Sequence, residues 1–122
     1  WRLPSSVRKA HSVEELLKQS DFVTLHVPLV AATRHLLDAP RLAAMKSGAV
    51  LLNFARDGLV DDAAVRAALH SRRLKCYVCD FPSAGLLGEP GVVAHPLTAW
   101  RSPTRVYPTC WGRSRRRWHS RG

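Results

Sequence analysis

The sequence predicts an α/β chain built around a parallel sheet, and three observations predict it. From Ser12 to about Ala94, short helical patterns alternate with short apolar runs. Each strand-plus-helix unit takes about 20 to 25 residues, the spacing of βαβ crossovers. One run, Ala49-Val50-Leu51-Leu52-Asn53-Phe54, is almost continuously apolar, as expected of a parallel strand covered on both faces.

The elements follow in order. Ser12 with Glu15 forms a capping box, S-x-x-E, which opens a helix over Val13 to Gln19 with Leu16 and Leu17 facing inward. Ser20-Asp21 breaks it. Phe22-Val23-Thr24-Leu25-His26-Val27 is rich in β-branched and aromatic residues and ends at Pro28, which predicts the first strand. Asp38 caps a second helix, with Pro40 tolerated in its first turn. Leu42 and Met45 share a face of that helix, and Ser47-Gly48 stops it. The run from Ala49 to Phe54 is the second strand, and Asp57-Gly58 turns the chain after it. Asp61 caps a third helix, whose apolar residues Ala64, Val65, Ala68 and Leu69 fall at helical spacing. Cys76-Tyr77-Val78-Cys79 is the third strand and Val92-Val93-Ala94 a short fourth. There are no internal repeats.

Composition narrows the class. A chain of 122 residues with 46% hydrophobic residues can form one domain with a real core. No stretch approaches about 18 consecutive apolar residues, so no membrane span is expected. No charged-then-apolar start reads as a secretion signal. Three cysteines argue against a disulfide scaffold and fit a reducing compartment. The formal charge of +10 suggests a polyanion partner, but its distribution weakens that reading. Residues 97–122 hold seven arginines and no acid, whereas residues 1–96 carry 12 basic and 9 acidic side chains, a net of +3. Three of the four tryptophans (Trp100, Trp111 and Trp118) also lie after residue 96. The first residue is Trp1 and the only methionine is Met45, so the chain is expected to be a piece of something longer.

In a sheet of this kind, ligands bind at the carboxyl ends of the strands, where strand order reverses. The residues placed there are His26-Val27-Pro28, Phe54-Ala55-Arg56-Asp57, Asp80-Phe81-Pro82 and His95-Pro96. Two histidines, an arginine and an aspartate therefore gather at one end, which suggests a site for a small anionic ligand.

At these residues the sequence resembles the D-isomer-specific 2-hydroxyacid dehydrogenases. The resemblance is carried by Ser12-Val13-Glu14-Glu15-Leu16-Leu17, by Ser20 through Leu29, by Thr33-Arg34-His35-Leu36-Leu37 and by Met45 through Asn53. Its most specific stretches are Asn53-Phe54-Ala55-Arg56-Asp57-Gly58-Leu59-Val60-Asp61 and Tyr77-Val78-Cys79-Asp80-Phe81-Pro82. It covers about residues 1–96 and is strongest toward the branch that acts on 3-phosphoglycerate. It implies the second half of a Rossmann-like, doubly wound NAD-binding domain, followed over residues 97–122 by an irregular, disordered basic tail. No G-x-G-x-x-G phosphate loop occurs in the sequence.

The resemblance also implies chemistry: a soluble cytoplasmic oxidoreductase that passes hydride from a small-molecule 2-hydroxy acid to NAD. Arg56 matches the substrate-binding and catalytic arginine, whose planar guanidinium grips a carboxylate bidentately. Val27, Phe54, Ala55, Arg56 and Asp80 match positions that line the cofactor. The family's catalytic glutamate aligns at about Gly85. Its catalytic histidine would fall between Pro96 and Leu97, where none stands, which leaves His95 as the candidate acid/base and Glu89 as a stand-in for the glutamate. An incomplete, weakly active or inactive piece is therefore expected.

Rival readings are weaker. Cys76 and Cys79 form C-x-x-C, but on a strand i and i+3 point to opposite faces, so both read as structural. Asp61-Asp62 reads as a helix start rather than a metal pair, and no metal site is expected. His26 reads as structural. The abrupt loss of similarity after Pro96 is expected to reflect a frame shift or sequence join. The alternative function is a non-catalytic remnant whose tail, Arg115-Arg116-Arg117 with Trp111 and Trp118, binds nucleic acid. The first strand is expected to present an open edge through which copies of the chain associate.

Overall fold

Each helix begins at the side-chain cap that its sequence offers. The computed structural model describes residues 4–94; His95 and the basic tail lie outside the described residues. Helix α1 (Val13–Gln19) starts where Ser12 Oγ accepts the Glu15 N–H at 3.1 Å. The return half of the box is displaced by one residue: the Glu15 carboxylate accepts from the His11 N–H at 2.9 Å. Leu17 is fully buried, but Leu16 is 43% exposed, contrary to the expectation that both face inward. Neighbouring positions on a helix diverge by about 100°, and this short helix buries only a narrow stripe.

Helix α2 (Ala39–Ala44) is capped by Asp38, which accepts the Arg41 N–H at 3.1 Å, with Pro40 in the first turn. Leu42 and Met45 are both buried. The helix ends at Met45, before the predicted Ser47-Gly48 stop, and Gly48 at φ +78° swings the chain into the next strand. Arg41 also reaches back to α1, donating to Glu14 at 2.8 Å; this bond holds the Glu14 carboxyl below its ordinary pKa. Helix α3 (Asp62–His70) is capped by Asp61, whose Oδ1 accepts from Ala63 N–H at 3.0 Å and Ala64 N–H at 3.3 Å. Asp61 acts as the cap, and Ala64, Val65, Ala68 and Leu69 are all buried.

Strands β1 (Phe22–Leu25), β2 (Ala49–Asn53), β3 (Leu74–Cys79) and β4 (Val92–Ala94) pair in parallel in the order β1-β2-β3-β4. Chain order and spatial order coincide, so no reversal of strand order occurs among the described residues, contrary to the expected switch point. β1 stops at Leu25 rather than Val27 and β2 at Asn53 rather than Phe54, while β3 begins two residues early at Leu74. Val27 and Phe54 thus leave the sheet and enter the loops at its carboxyl end.

The two faces of the sheet differ. Val23, Leu25, Leu51, Tyr77 and Cys79 share one face and join Leu17, Leu42, Met45, Val65 and Leu69 from the helices in a single core. On the other face Phe22 is 72% exposed, and Val50, Leu52, Val78 and Val93 are only half-buried. The expected cover on both faces of β2 is thus absent among the described residues. Cys76 and Cys79 are both buried, and Cys79 is a free thiol, so the C-x-x-C pair is not bridged to itself.

The loop from β3 to β4 is braced onto α3. The Glu89 carboxylate forms an ion pair with Arg66, Nε to Oε1 3.1 Å, and meets His70 Nε2 at 3.0 Å, while Leu86 is buried in the core.

Candidate functional site

The loops that leave β1 and β2 border an open cleft of about 630 Å³ lined by His26, Val27, Pro28, Leu29, Ala55 and Arg56. The β1 side is shaped by local hydrogen bonds. His26 Nε2 lies 2.9 Å from Thr24 Oγ1, two residues back on the same side of the chain. Thr33 Oγ1 donates to the Pro28 carbonyl at 2.6 Å and accepts from the Val30 N–H at 2.9 Å, so one hydroxyl closes the turn after Pro28.

Backbone bonds then zip the two loops together behind the cleft. His35 N–H donates to Gly58 O at 2.8 Å, Leu37 N–H to Leu59 O at 3.1 Å, and Asp61 N–H to Leu37 O at 3.1 Å. His35 reaches this geometry at φ +49°, a left-handed conformation. Gly58 lies against Leu29: a Cβ there would stand 2.9 Å from Leu29 Cδ2, so that side chain would have to shift. Leu29 therefore packs directly over the turn that follows Arg56.

Arg56 is exposed, extended at φ −147° and ψ 142°, and its guanidinium donates to the Ala55 carbonyl at 2.8 Å. No carboxylate among the described residues pairs with it. A cation held at the rim of an open cleft and free of a carboxylate partner among the described residues is suited to an anionic ligand.

Behind Arg56 lies Asn53, the one buried polar or charged residue among the described residues besides the core tyrosine and cysteines, at 4% exposure. Its Nδ2 donates to the Arg56 carbonyl at 2.7 Å and to the Tyr77 hydroxyl at 3.3 Å, and its Oδ1 accepts from the Ala55 N–H at 3.2 Å. Burial pushes the Tyr77 hydroxyl well above the ordinary phenol pKa, and it pushes the neighbouring Cys79 thiol up to about 11. The network is therefore neutral through the physiological range.

The structure brings Val27, Ala55 and Arg56 together in one cleft. Phe54 is exposed at the same strand end but does not line that cleft, because adjacent residues of an extended segment point opposite ways. Asp80 follows β3, half-buried and away from the cleft lining. His95 lies outside the described residues. Glu89 does not line that cleft; it is paired with Arg66 and His70 of α3. Arg66 also takes the space at Gly85, donating to its carbonyl, and a Cβ at Gly85 would come within 2.9 Å of Arg66 Nη2. Sequence reasoning assigned no part to Asn53 and Tyr77. The available signal was a lone amide closing an apolar run, three residues before the arginine.

A parallel sheet with a carboxyl-end cleft and an arginine at its rim defines an α/β ligand-binding domain of the dinucleotide type. Residues 4–105 match the NAD binding domain of the D-isomer specific 2-hydroxyacid dehydrogenases, and the chain belongs to that family. It is 49% identical over 111 residues to erythronate-4-phosphate dehydrogenase of Ectopseudomonas mendocina, covering 81% of this chain and 30% of that protein. Against (S)-sulfolactate dehydrogenase of Chromohalobacter salexigens the identity is 40% over 101 residues, covering 77% and 33%. Against D-3-phosphoglycerate dehydrogenase of Methanocaldococcus jannaschii it is 38% over 84 residues, covering 64% and 16%. Among solved structures, apo D-mandelate dehydrogenase of Rhodotorula graminis superposes with a TM-score of 0.65 at 34% identity, over 70% of this chain and 26% of that one. The chain spans a third or less of the length of these relatives.

The expected cofactor is thus NAD. In the cleft, Val27, Leu29 and Ala55 offer apolar surface beside Arg56. No helix among the described residues is long and apolar enough to cross a membrane.

Proposed function

We propose that this chain forms the nicotinamide-facing part of a cytoplasmic oxidoreductase that acts on the CH–OH group of a D-2-hydroxy acid. The observation that carries this reading is Arg56, exposed beside the open cleft with no carboxylate partner among the described residues. Its guanidinium binds the substrate carboxylate in a bidentate fork and polarises the 2-oxo oxygen. Val27, Leu29 and Ala55 keep water from the reacting carbon. NAD supplies the chemistry of accepting the hydride, with Val27, Phe54, Ala55 and Asp80 as its side of the site. The hydroxyl proton goes to His95, which follows β4 directly in the sequence.

The substrate class is a 2-hydroxy acid with a second anionic group. Three relatives are named for such compounds: erythronate 4-phosphate, sulfolactate and 3-phosphoglycerate. 3-Phosphoglycerate is one member of that class, and the higher identity to the erythronate-4-phosphate enzyme keeps the four-carbon acid beside it. Turnover by this chain is low on this reading, because Gly85 stands where the family aligns its catalytic glutamate.

The test is calorimetric titration with NADH, then with oxamate, an inert 2-oxo acid analogue, in its presence. Alongside it, NADH oxidation is followed with 3-phosphohydroxypyruvate, 3-sulfopyruvate and 2-oxo-3-hydroxy-4-phosphobutanoate. NADH binding is expected, as is oxamate binding that weakens at least about tenfold in Arg56→Ala and recovers only partly in Arg56→Lys. No binding of either ligand, or oxamate binding indifferent to Arg56→Ala, rejects the reading.

A further inference from the structure

The backbone around Arg56 is held from behind by a side chain that belongs to β2 itself. Asn53 takes one peptide group on each side of the residue it serves: the Ala55 N–H on its Oδ1 and the Arg56 carbonyl on its Nδ2. Those two contacts set the path of the chain across Ala55 and Arg56. They turn it out of the strand and hold the arginine extended, where its guanidinium reaches the cleft rim. The second Nδ2 hydrogen is used as well, donated to the Tyr77 hydroxyl on β3. Asn53 therefore has both donors and its acceptor engaged, and its amide plane is fixed by a residue 24 positions away.

We propose that Asn53 is the positioning residue for Arg56, with Tyr77 as the post that secures it. The proposal rests on the reading of Arg56 as the substrate-binding arginine. It assigns to the buried amide a part in recognition that the arginine alone does not explain. The chemistry selects an amide at position 53. A carboxylate of the same shape keeps the acceptor for Ala55 but loses both donors, and it faces the Arg56 carbonyl with a charge. An aliphatic side chain loses all three bonds. At position 77 the aromatic ring supplies packing and the hydroxyl supplies the anchor, so phenylalanine separates the two.

The experiment compares the parent chain with Asn53→Ala, Asn53→Asp and Tyr77→Phe, using Arg56→Ala as the reference. The first readout is ¹⁵N relaxation of the backbone at Ala55 and Arg56 and of Arg56 Nε, which needs no ligand. In the parent the backbone order parameters are expected near the rigid value of about 0.85, falling toward about 0.6 in both Asn53 variants and part of the way in Tyr77→Phe. The second readout is oxamate affinity in the presence of NADH. It is expected to weaken about tenfold in the Asn53 variants and about threefold in Tyr77→Phe, as for loss of a hydrogen-bonded partner. Unchanged order at Arg56 in Tyr77→Phe and in whichever Asn53 variant folds would overturn the positioning role. So would parental oxamate affinity in those variants, provided Arg56→Ala abolishes it. If Arg56→Ala itself leaves oxamate binding intact, the reading of the arginine fails instead, and the relaxation data still decide what Asn53 holds.

Discussion

Two loops of this chain leave neighbouring strands and are held by opposite kinds of chemistry. The loop after β2 is fixed by two neutral, buried side chains: Asn53, bonded to the backbone of Ala55 and Arg56, and Tyr77, whose hydroxyl accepts from Asn53. The loop after β3 is fixed by the Glu89 carboxylate between Arg66 and His70, at the protein surface, with the His70 side chain 62% exposed. A neutral amide in a low-dielectric pocket holds its partners at set distances whatever the salt and through the neutral pH range, whereas a solvated ion pair gives up most of its strength to screening. The region that must present an arginine with constant geometry is the one held by dipoles. The peripheral loop is the one held by charges.

The largest test of that contrast is Asn53→Leu. It strands the Tyr77 hydroxyl and leaves the Ala55 N–H and Arg56 carbonyl to solvent. A stability loss of about 2–3 kcal/mol is expected from urea unfolding, little changed by salt. A loss under about 0.5 kcal/mol would mean that solvent replaces the network without cost.

Alkaline pH probes the same network from its ionisable members. The Cys79 thiol is raised from 9.0 to about 11 by burial, and the Tyr77 hydroxyl is raised too. Between those pH values the folded chain keeps a proton that the unfolded chain has lost, so stability is full below pH 9 and falls as pH rises toward 11. The urea midpoint is expected to drop across that window, and Cys79→Ala is expected to flatten the drop. A midpoint that stays level from pH 9 to 11 contradicts the burial of the thiol.

The smallest effect is expected in the charged loop. Glu89→Gln removes both ion pairs, yet about 0.5–1 kcal/mol is the expected cost, shrinking further in molar salt. A salt-independent loss of about 2 kcal/mol or more would place this brace in the same class as the Asn53 network and erase the contrast.

Much of this was legible in the sequence where the information is local. Ser12, Asp38 and Asp61 cap the helices they were expected to cap, because a side-chain oxygen bonding an N–H two or three residues on needs nothing from the rest of the chain. Arg56, Val27 and Ala55 are expected at one site from their motif, and the structure places them around one cleft. Leu16 was misjudged because two adjacent leucines on a short helix do not say which one meets the neighbouring helix. Glu89 was considered as a catalytic substitute on type alone; its partners lie 19 and 23 positions back on α3, where no local pattern points.

The sequence by itself determined the α/β class, the helix starts, the parallel strand runs and the family, since capping, period and β-branching act within a few residues. Only the tertiary structure decided which face of the sheet is covered, where β1 and β2 release their last residues, and what stands behind Arg56. These depend on contacts between segments far apart in the chain, such as Asn53 with Tyr77 and Leu29 with Gly58. Packing and hydrogen-bond satisfaction select such contacts for the whole fold at once, and no single segment encodes them.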